Sequence, residues 1–274
     1  MESVSLLPFA LWRLFREGLE DGGACRDIVE NHILPKLNGT DVKFFYGVNS
    51  ETRALIKRSS RKGVLRRSFY VAEMSSISTL EIAWENRWLW QGELDCETEF
   101  CGRVARTNKL ELLKWIQEEK ECEWDEYTIY MVAEQGNLEM LKYCTANNYQ
   151  YFTYEDACER AANSGSLECL KYLREEVEAP WGFETAEQAA ANGHLHILEY
   201  LVERKYDKYN IWACRLAAKN GHLDCLKYLR ETAKAPWNSS AVRNAHENNH
   251  PECLQYLLDN NCPLPRGWRT LRTS

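Results

Sequence analysis

The 274-residue chain is short of the features that announce chemistry. No apolar run approaches the roughly 20 residues that a membrane helix needs. The apolar stretch from Leu6 to Leu14 is preceded by Glu2 and broken by Arg13, and no basic region comes before it, so it does not read as a signal peptide. There is no Cys-x-x-Cys pair and no zinc-finger spacing. No alternating strand pattern occurs, and so no glycine-rich phosphate loop follows a strand. No Ser, His and Asp stand in a supporting motif. Positive charge is not in excess: the net charge is −7, which does not favour a nucleic-acid partner. These absences predict no cofactor, no metal, no membrane contact and no enzyme.

What the chain does have is a repeat. Ala217-Ala218-Lys219-Asn220-Gly221-His222-Leu223-Asp224-Cys225-Leu226 has counterparts upstream at Ala189-Ala190, Ala161-Ala162, Val132-Ala133 and Val104-Ala105, and downstream at Ala245. Taking as position zero the residue just after the turn, the anchors are Leu110, Leu138, Leu167, Leu195, Leu223 and Pro251, spaced by 28 or 29 residues. Leucine stands at +3 in every copy, an aromatic at +5 and an apolar residue at +6. Apolar positions at 0, +2, +3 and +6 share one helical face. Small residues at −6 and −5 let two helices approach closely. Glycine or asparagine at −2 (Asn108, Gly136, Gly165, Gly193, Gly221, Asn249) suits a turn with positive φ. Each unit therefore reads as a short helix, a tight turn and a longer helix, and the series as an all-α helical-repeat solenoid of about six helix pairs with a small helical N-terminal domain.

Six of the eleven cysteines fall in two columns of the same register. Cys101, Cys158 and Cys214 share position −9, and Cys169, Cys225 and Cys253 share +2, where other copies carry Ile, Val, Ala, Met or Leu. They read as small buried hydrophobes rather than ligands or bridges. That reading places the chain in a reducing compartment, the cytoplasm, with the nucleus as an alternative.

The Ala-Ala-x-x-Gly-His-Leu-x-x-Leu-x-x-Leu core resembles the ankyrin repeat over residues 98–262. Two departures stand out. The Thr-Pro-Leu-His opening is missing, and the period is about five residues short of the usual 33. The missing residues fall after the second helix, where that family carries a finger. Here the loop holds an aromatic at +14: Trp124, Phe152, Trp181, Tyr209 or Trp237. This aromatic is expected to pack between neighbouring units, with Pro180 and Pro236 stopping the helix before it. His194, His222 and His250, at −1, match the family's turn histidine. The resemblance implies a protein-binding module that docks a partner protein on its concave side. The residues at −7 and −4 follow no packing code and are the expected contacts: Arg103, Arg106, Met131, Glu134, Arg160, Asn163, Gln188, Leu216, Lys219 and Asn244.

Before the repeats the chain changes character. Residues 1–70 read as a helical N-terminal domain and 71–97 as a linker with a degenerate capping repeat, in which Ile77 to Asn86 would be a first helix. Trp84, Trp88 and Trp90 would close the open end of the stack. Residues 263–274 read as a tail. The order Ile33-Leu34-Pro35-x-Leu37, then Asp41-Val42, then Phe-x-x-Val-Asn resembles an F-box. That resemblance implies a second partner, the adaptor of a cullin-type ubiquitin ligase, met by Ile33, Leu34, Pro35, Leu37 and Val42. The competing reading makes the same residues a cap that faces inward. The basic run Lys57, Arg58, Arg61, Lys62, Arg66 and Arg67 reads as a solvated linker or, alternatively, a nuclear-import patch.

Overall fold

The computed structural model describes residues 34–36, 42, 54, 56, 57, 59, 60, 71–85, 97–123, 125–147 and 154–268. Among them are thirteen α-helices and no strand, so the chain is an all-α helical-repeat protein. It forms two compact units, Met1–Thr128 and Ile129–Ser274. No helix of the described residues is long and apolar enough to cross a membrane.

A single helix, α1 (Ile77–Glu85), is followed by six pairs: α2 (Glu97–Ala105) with α3 (Leu110–Glu118), α4 (Glu126–Gln135) with α5 (Leu138–Ala146), α6 (Glu155–Ser164) with α7 (Leu167–Glu175), α8 (Glu184–Ala191) with α9 (Leu195–Glu203), α10 (Ile211–Asn220) with α11 (Leu223–Glu231), and α12 (Ser239–Glu247) with α13 (Pro251–Asp259). In the Ile129–Ser274 unit the first helices α6, α8, α10 and α12 pack in one row. The second helices pack in another, α5 on α7 and α9 on α11 on α13.

The register explains the rows. Positions −9, −6, +2 and +6 are buried in all six pairs, and +3 in all but the last, where Leu254 is half-exposed. Each buried leucine contributes about 1.5–3 kcal/mol. The anchor residue itself is half-exposed at Leu110 through Leu223 and exposed at Pro251. The buried stripe is thus narrower than the 0, +2, +3, +6 face.

The turns follow from backbone chemistry. All six −2 residues have positive φ, from +57° at Asn108 to +78° at Gly221. In the inner repeats the next N–H reaches back five residues, as from His222 N–H to Ala217 O at 2.9 Å, which satisfies a carbonyl at the helix end. Second helices end on another left-handed residue, and none of these is glycine: Glu121, Glu178, Lys205, Lys234 and Asn261. The N–H of Ala179 then donates to Leu173 O, and that of Ala235 to Leu229 O, both at 2.9 Å. These turns, not proline, stop the helices: α7 and α11 already end at Glu175 and Glu231, ahead of Pro180 and Pro236.

Two further expectations are corrected. The helix Ile77–Glu85 is not a first helix. It packs on the second helix α3, while the 3-10 turn Val71–Glu73 packs on the first helix α2. Leu80 and Ala83 are buried as +3 and +6 residues would be if Ile77 were the anchor. Trp84 meets Phe100 edge to face at 5.4 Å; Trp88 and Trp90 lie outside the described residues. The second concerns the cysteines. The sulfurs of Cys101 and Cys122 are brought together, with Cα atoms 6.9 Å apart, so these two are not simply separate core hydrophobes. The other seven described cysteines are free and buried.

Two of the loop aromatics bridge neighbouring units, while Tyr209 meets Tyr206 of its own unit at 4.7 Å. Trp181 meets Tyr200 and Tyr206 edge to face at 6.3 and 5.5 Å, and Trp237 meets Tyr256 at 6.2 Å. Arg174 and Arg230 cover the two indoles at 4.7 and 4.5 Å. Trp124 and Phe152 lie outside the described residues.

Candidate partner-binding face

The first helices bury −10, −9 and −6 against their neighbours, and −5 in all but the last pair, where His246 is exposed, which leaves −4, −7, −8 and −11 on the other side. That side of the row α6–α8–α10–α12 is the face on which most of the expected contacts fall. Arg160, Asn163, Gln188 and Leu216 are half-exposed, and Lys219 is exposed. Asn163 and Gln188 belong to one hydrogen-bonded group. Gln188 Nε2 donates to Glu159 Oε1 at 3.1 Å, Asn163 Nδ2 to Gln188 Oε1 at 3.4 Å, and Asn192 Nδ2 to Asn163 Oδ1 at 3.4 Å. Position −7 is therefore not free of packing duties.

Two of the expected contacts offer almost no surface. Met131 is 5% exposed and Asn244 is 9% exposed, its amide donating to Ser240 O at 2.7 Å. Glu134 is half-exposed. In the Met1–Thr128 unit, Arg103 is half-exposed and pairs with Glu99 at 3.0 Å, and Arg106 is exposed. The N-terminal set divides. Leu34 and Val42 are buried and Pro35 is exposed, while Ile33 and Leu37 lie outside the described residues.

Residues outside the −4 and −7 columns give the face its chemistry. Phe183, Ile211 and Trp212 are 50%, 36% and 45% exposed, large apolar side chains at the first turns of the adjacent helices α8 and α10. Arg215 lies over Trp212 at 4.3 Å, and its Nε is buried without a hydrogen-bond partner, as is that of Arg160. Glu159 and Glu187, at −8, have pKa values above the ordinary carboxylate range. Burial is the main cause in both, opposed at Glu159 by Arg160 and at Glu187 by the amide of Asn210, 2.7 Å away. Reading −8, −11 and −12 across the copies would have found this set, because those columns also vary.

The turn histidines face elsewhere. His194 Nε2 meets Asn163 O at 2.9 Å and His222 Nε2 meets Ala191 O at 3.1 Å, each a carbonyl of the preceding repeat. A Cβ on Gly165, Gly193 or Gly221 would lie 2.5 to 2.7 Å from the imidazole of the next repeat. These histidines tie neighbouring repeats together. Among the described residues no group of three or more His, Cys, Asp or Glu is placed to hold a metal ion. The buried thiols of Cys144, Cys158 and Cys214 are pushed up to about 12, which keeps them protonated and unreactive.

No curated protein matches the chain. The model of the ankyrin-repeat family matches residues 186–267 in three copies, which cover the helix pairs α8–α9, α10–α11 and α12–α13.

Proposed function

We propose that the chain is a non-enzymatic interaction module that holds a partner protein on the exposed side of its first helices. Ankyrin repeats indicate a protein–protein interaction module. The observation that carries the choice of face is the exposed apolar set Phe183, Ile211 and Trp212, at the starts of two adjacent first helices. Exposed side chains of this size mark contact surfaces when they cluster beside polar groups. Arg160, Asn163, Gln188, Leu216 and Lys219 are half-exposed or exposed on the same row of first helices. The organisation proposed with this reading is an N-terminal helical domain over 1–70, a linker with a capping repeat over 71–97, repeats over 98–262 and a tail from 263. The test is capture from the native cell by the wild type and by the triple variant Phe183→Ser, Trp212→Ser, Lys219→Glu. The same partner should be enriched by the wild type and lost by the variant, with the melting temperature unchanged. Equal capture by both would overturn this choice of face.

A second reading, a substrate-recruiting F-box-type subunit of a ubiquitin ligase, keeps one supporting observation, the exposure of Pro35. The burial of Leu34 and Val42 supports the inward-facing cap instead. Leu34→Glu should then unfold the N-terminal region, and the wild type should not co-purify with the adaptor. Co-purification with the adaptor, lost in a folded Leu34→Glu variant, would reverse that preference.

A further inference from the structure

We infer that the partner segment seated on α6 and α8 is basic, a lysine- and arginine-bearing stretch with an apolar side chain set against Phe183 and Trp212. The inference rests on the face proposed above and adds the chemistry of its occupant. Helices α6 and α8 carry five carboxylates, Glu155, Asp156, Glu159, Glu184 and Glu187, and one guanidinium, Arg160. Among the described residues none of the five forms an ion pair. Glu159 and Glu187 hydrogen-bond to the neutral amides of Gln188 and Asn210.

Glu155 and Glu184 converge on Gly182. A Cβ at Gly182 would lie 2.4 Å from Glu155 Oε1 and 2.8 Å from Glu184 Oε2. Two carboxylates from neighbouring repeats thus flank one point of backbone, directly before Phe183. Like charges held this close repel each other, and a cation placed between them relieves that repulsion. Burial already makes ionisation of Glu159 and Glu187 less favourable, so a counter-charge would be worth more here than at a fully solvated surface. Cationic chemistry returns on α10, where Arg215 stands in the column of Glu159 and Glu187, and Lys219 adds a second positive charge. That change limits the basic stretch to the α6–α8 end, with Ile211 and Trp212 at its border.

The test uses the full chain and three fluorescent 12-residue peptides. The first mixes arginine and lysine with leucine and tryptophan. The second keeps the charges and replaces the apolar residues by serine. The third keeps the apolar residues and replaces the bases by glutamate. The first should bind and the other two should bind at least tenfold more weakly. Glu155→Gln with Glu184→Gln should weaken the first peptide at least tenfold and flatten its salt dependence. Glu199→Gln with Glu203→Gln, which removes exposed acids from the second helix α9, should leave it unchanged. Equal loss in the two double variants would mean that only net charge attracts the peptide, and would overturn the inference. So would unchanged binding by the Glu155/Glu184 variant, or tightest binding by the acidic peptide. If the partner captured from the cell is lost on changing Phe183 and Trp212 yet is indifferent to Glu155 and Glu184, the face stands and only its proposed chemistry fails.

Discussion

At −1 the residue that would cap the second helix has a choice. Asn137 accepts from Met140 N–H at 3.0 Å and caps α5. His194, His222 and His250 make no capping bond, and their rings lie over the glycine of the preceding repeat. Glycine at that turn answers two demands, a positive φ and room for an imidazole. Gly193→Ala should therefore cost more than Gly267→Ala, which has positive φ but open space around it. We expect about 1 kcal/mol at Gly267 from the left-handed backbone, and about 2–3 kcal/mol at Gly193. A His222→Ala background should reduce the penalty at Gly193, which a double-mutant cycle by urea denaturation would measure. Equal penalties, or no coupling, would remove the histidine from the account. The buried thiols make a second prediction. Desolvation raises Cys144, Cys158 and Cys214 from 9.0 to about 12, so folding favours their protonated form. Their contribution is complete below pH 9 and is lost as pH rises towards 12. The Ile129–Ser274 unit should lose stability in that window, and thiol reagents should label these cysteines slowly at pH 8.

Helix pairs were legible because their core repeats in place. The Leu at +3 and the turn at −2 each say one thing six times, and the Ala-Ala pair at −6 and −5 says another three times. What stayed hidden was not repeated as a residue type. Glu178, Lys205 and Lys234 share a left-handed backbone with Asn261, yet nothing in their side chains announces it. The role of Ile77–Glu85 was missed because 33 residues, not 28, separate Ile77 from Leu110, and its partner is a single 3-10 turn. The closeness of Cys101 and Cys122 escaped because Cys122 lies outside the shared columns. On the face, the columns −7 and −4 were found by their variability, but variability does not distinguish surface from a neutral packing position. Met131 and Asn244 show the difference. Element-level costs follow burial. Leu226→Ala, fully buried between helices, should destabilise by roughly 2–5 kcal/mol. Leu254→Ala, half-exposed in the last pair, should cost about half as much in the same melt. Lys234→Gly, which relieves a positive φ at the end of α11, should stabilise by about 0.5–1 kcal/mol. A loss there would mean that the lysine side chain contributes more than its backbone costs.

For the whole molecule, the repeats supply a scaffold and, in the function proposed, the first helices supply the binding surface. In a solenoid each repeat rests on its neighbours, so the buried columns must stay constant while the exposed ones are free to change. Here those exposed columns hold three large apolar side chains, an acidic end and a basic end. In the Ile129–Ser274 unit the second helices present exposed Glu199, Glu203, Lys227 and Glu231 and no large exposed apolar side chain among the described residues. The decisive measurement places a photo-crosslinking amino acid at Trp212, Gln188 or Lys219 on the first helices, and at Glu199 or Lys227 on the second helices, in otherwise wild-type chains in the native cell. The account predicts one partner protein joined at the first-helix positions and not at the second-helix positions. Adducts formed only at Glu199 and Lys227 would contradict it.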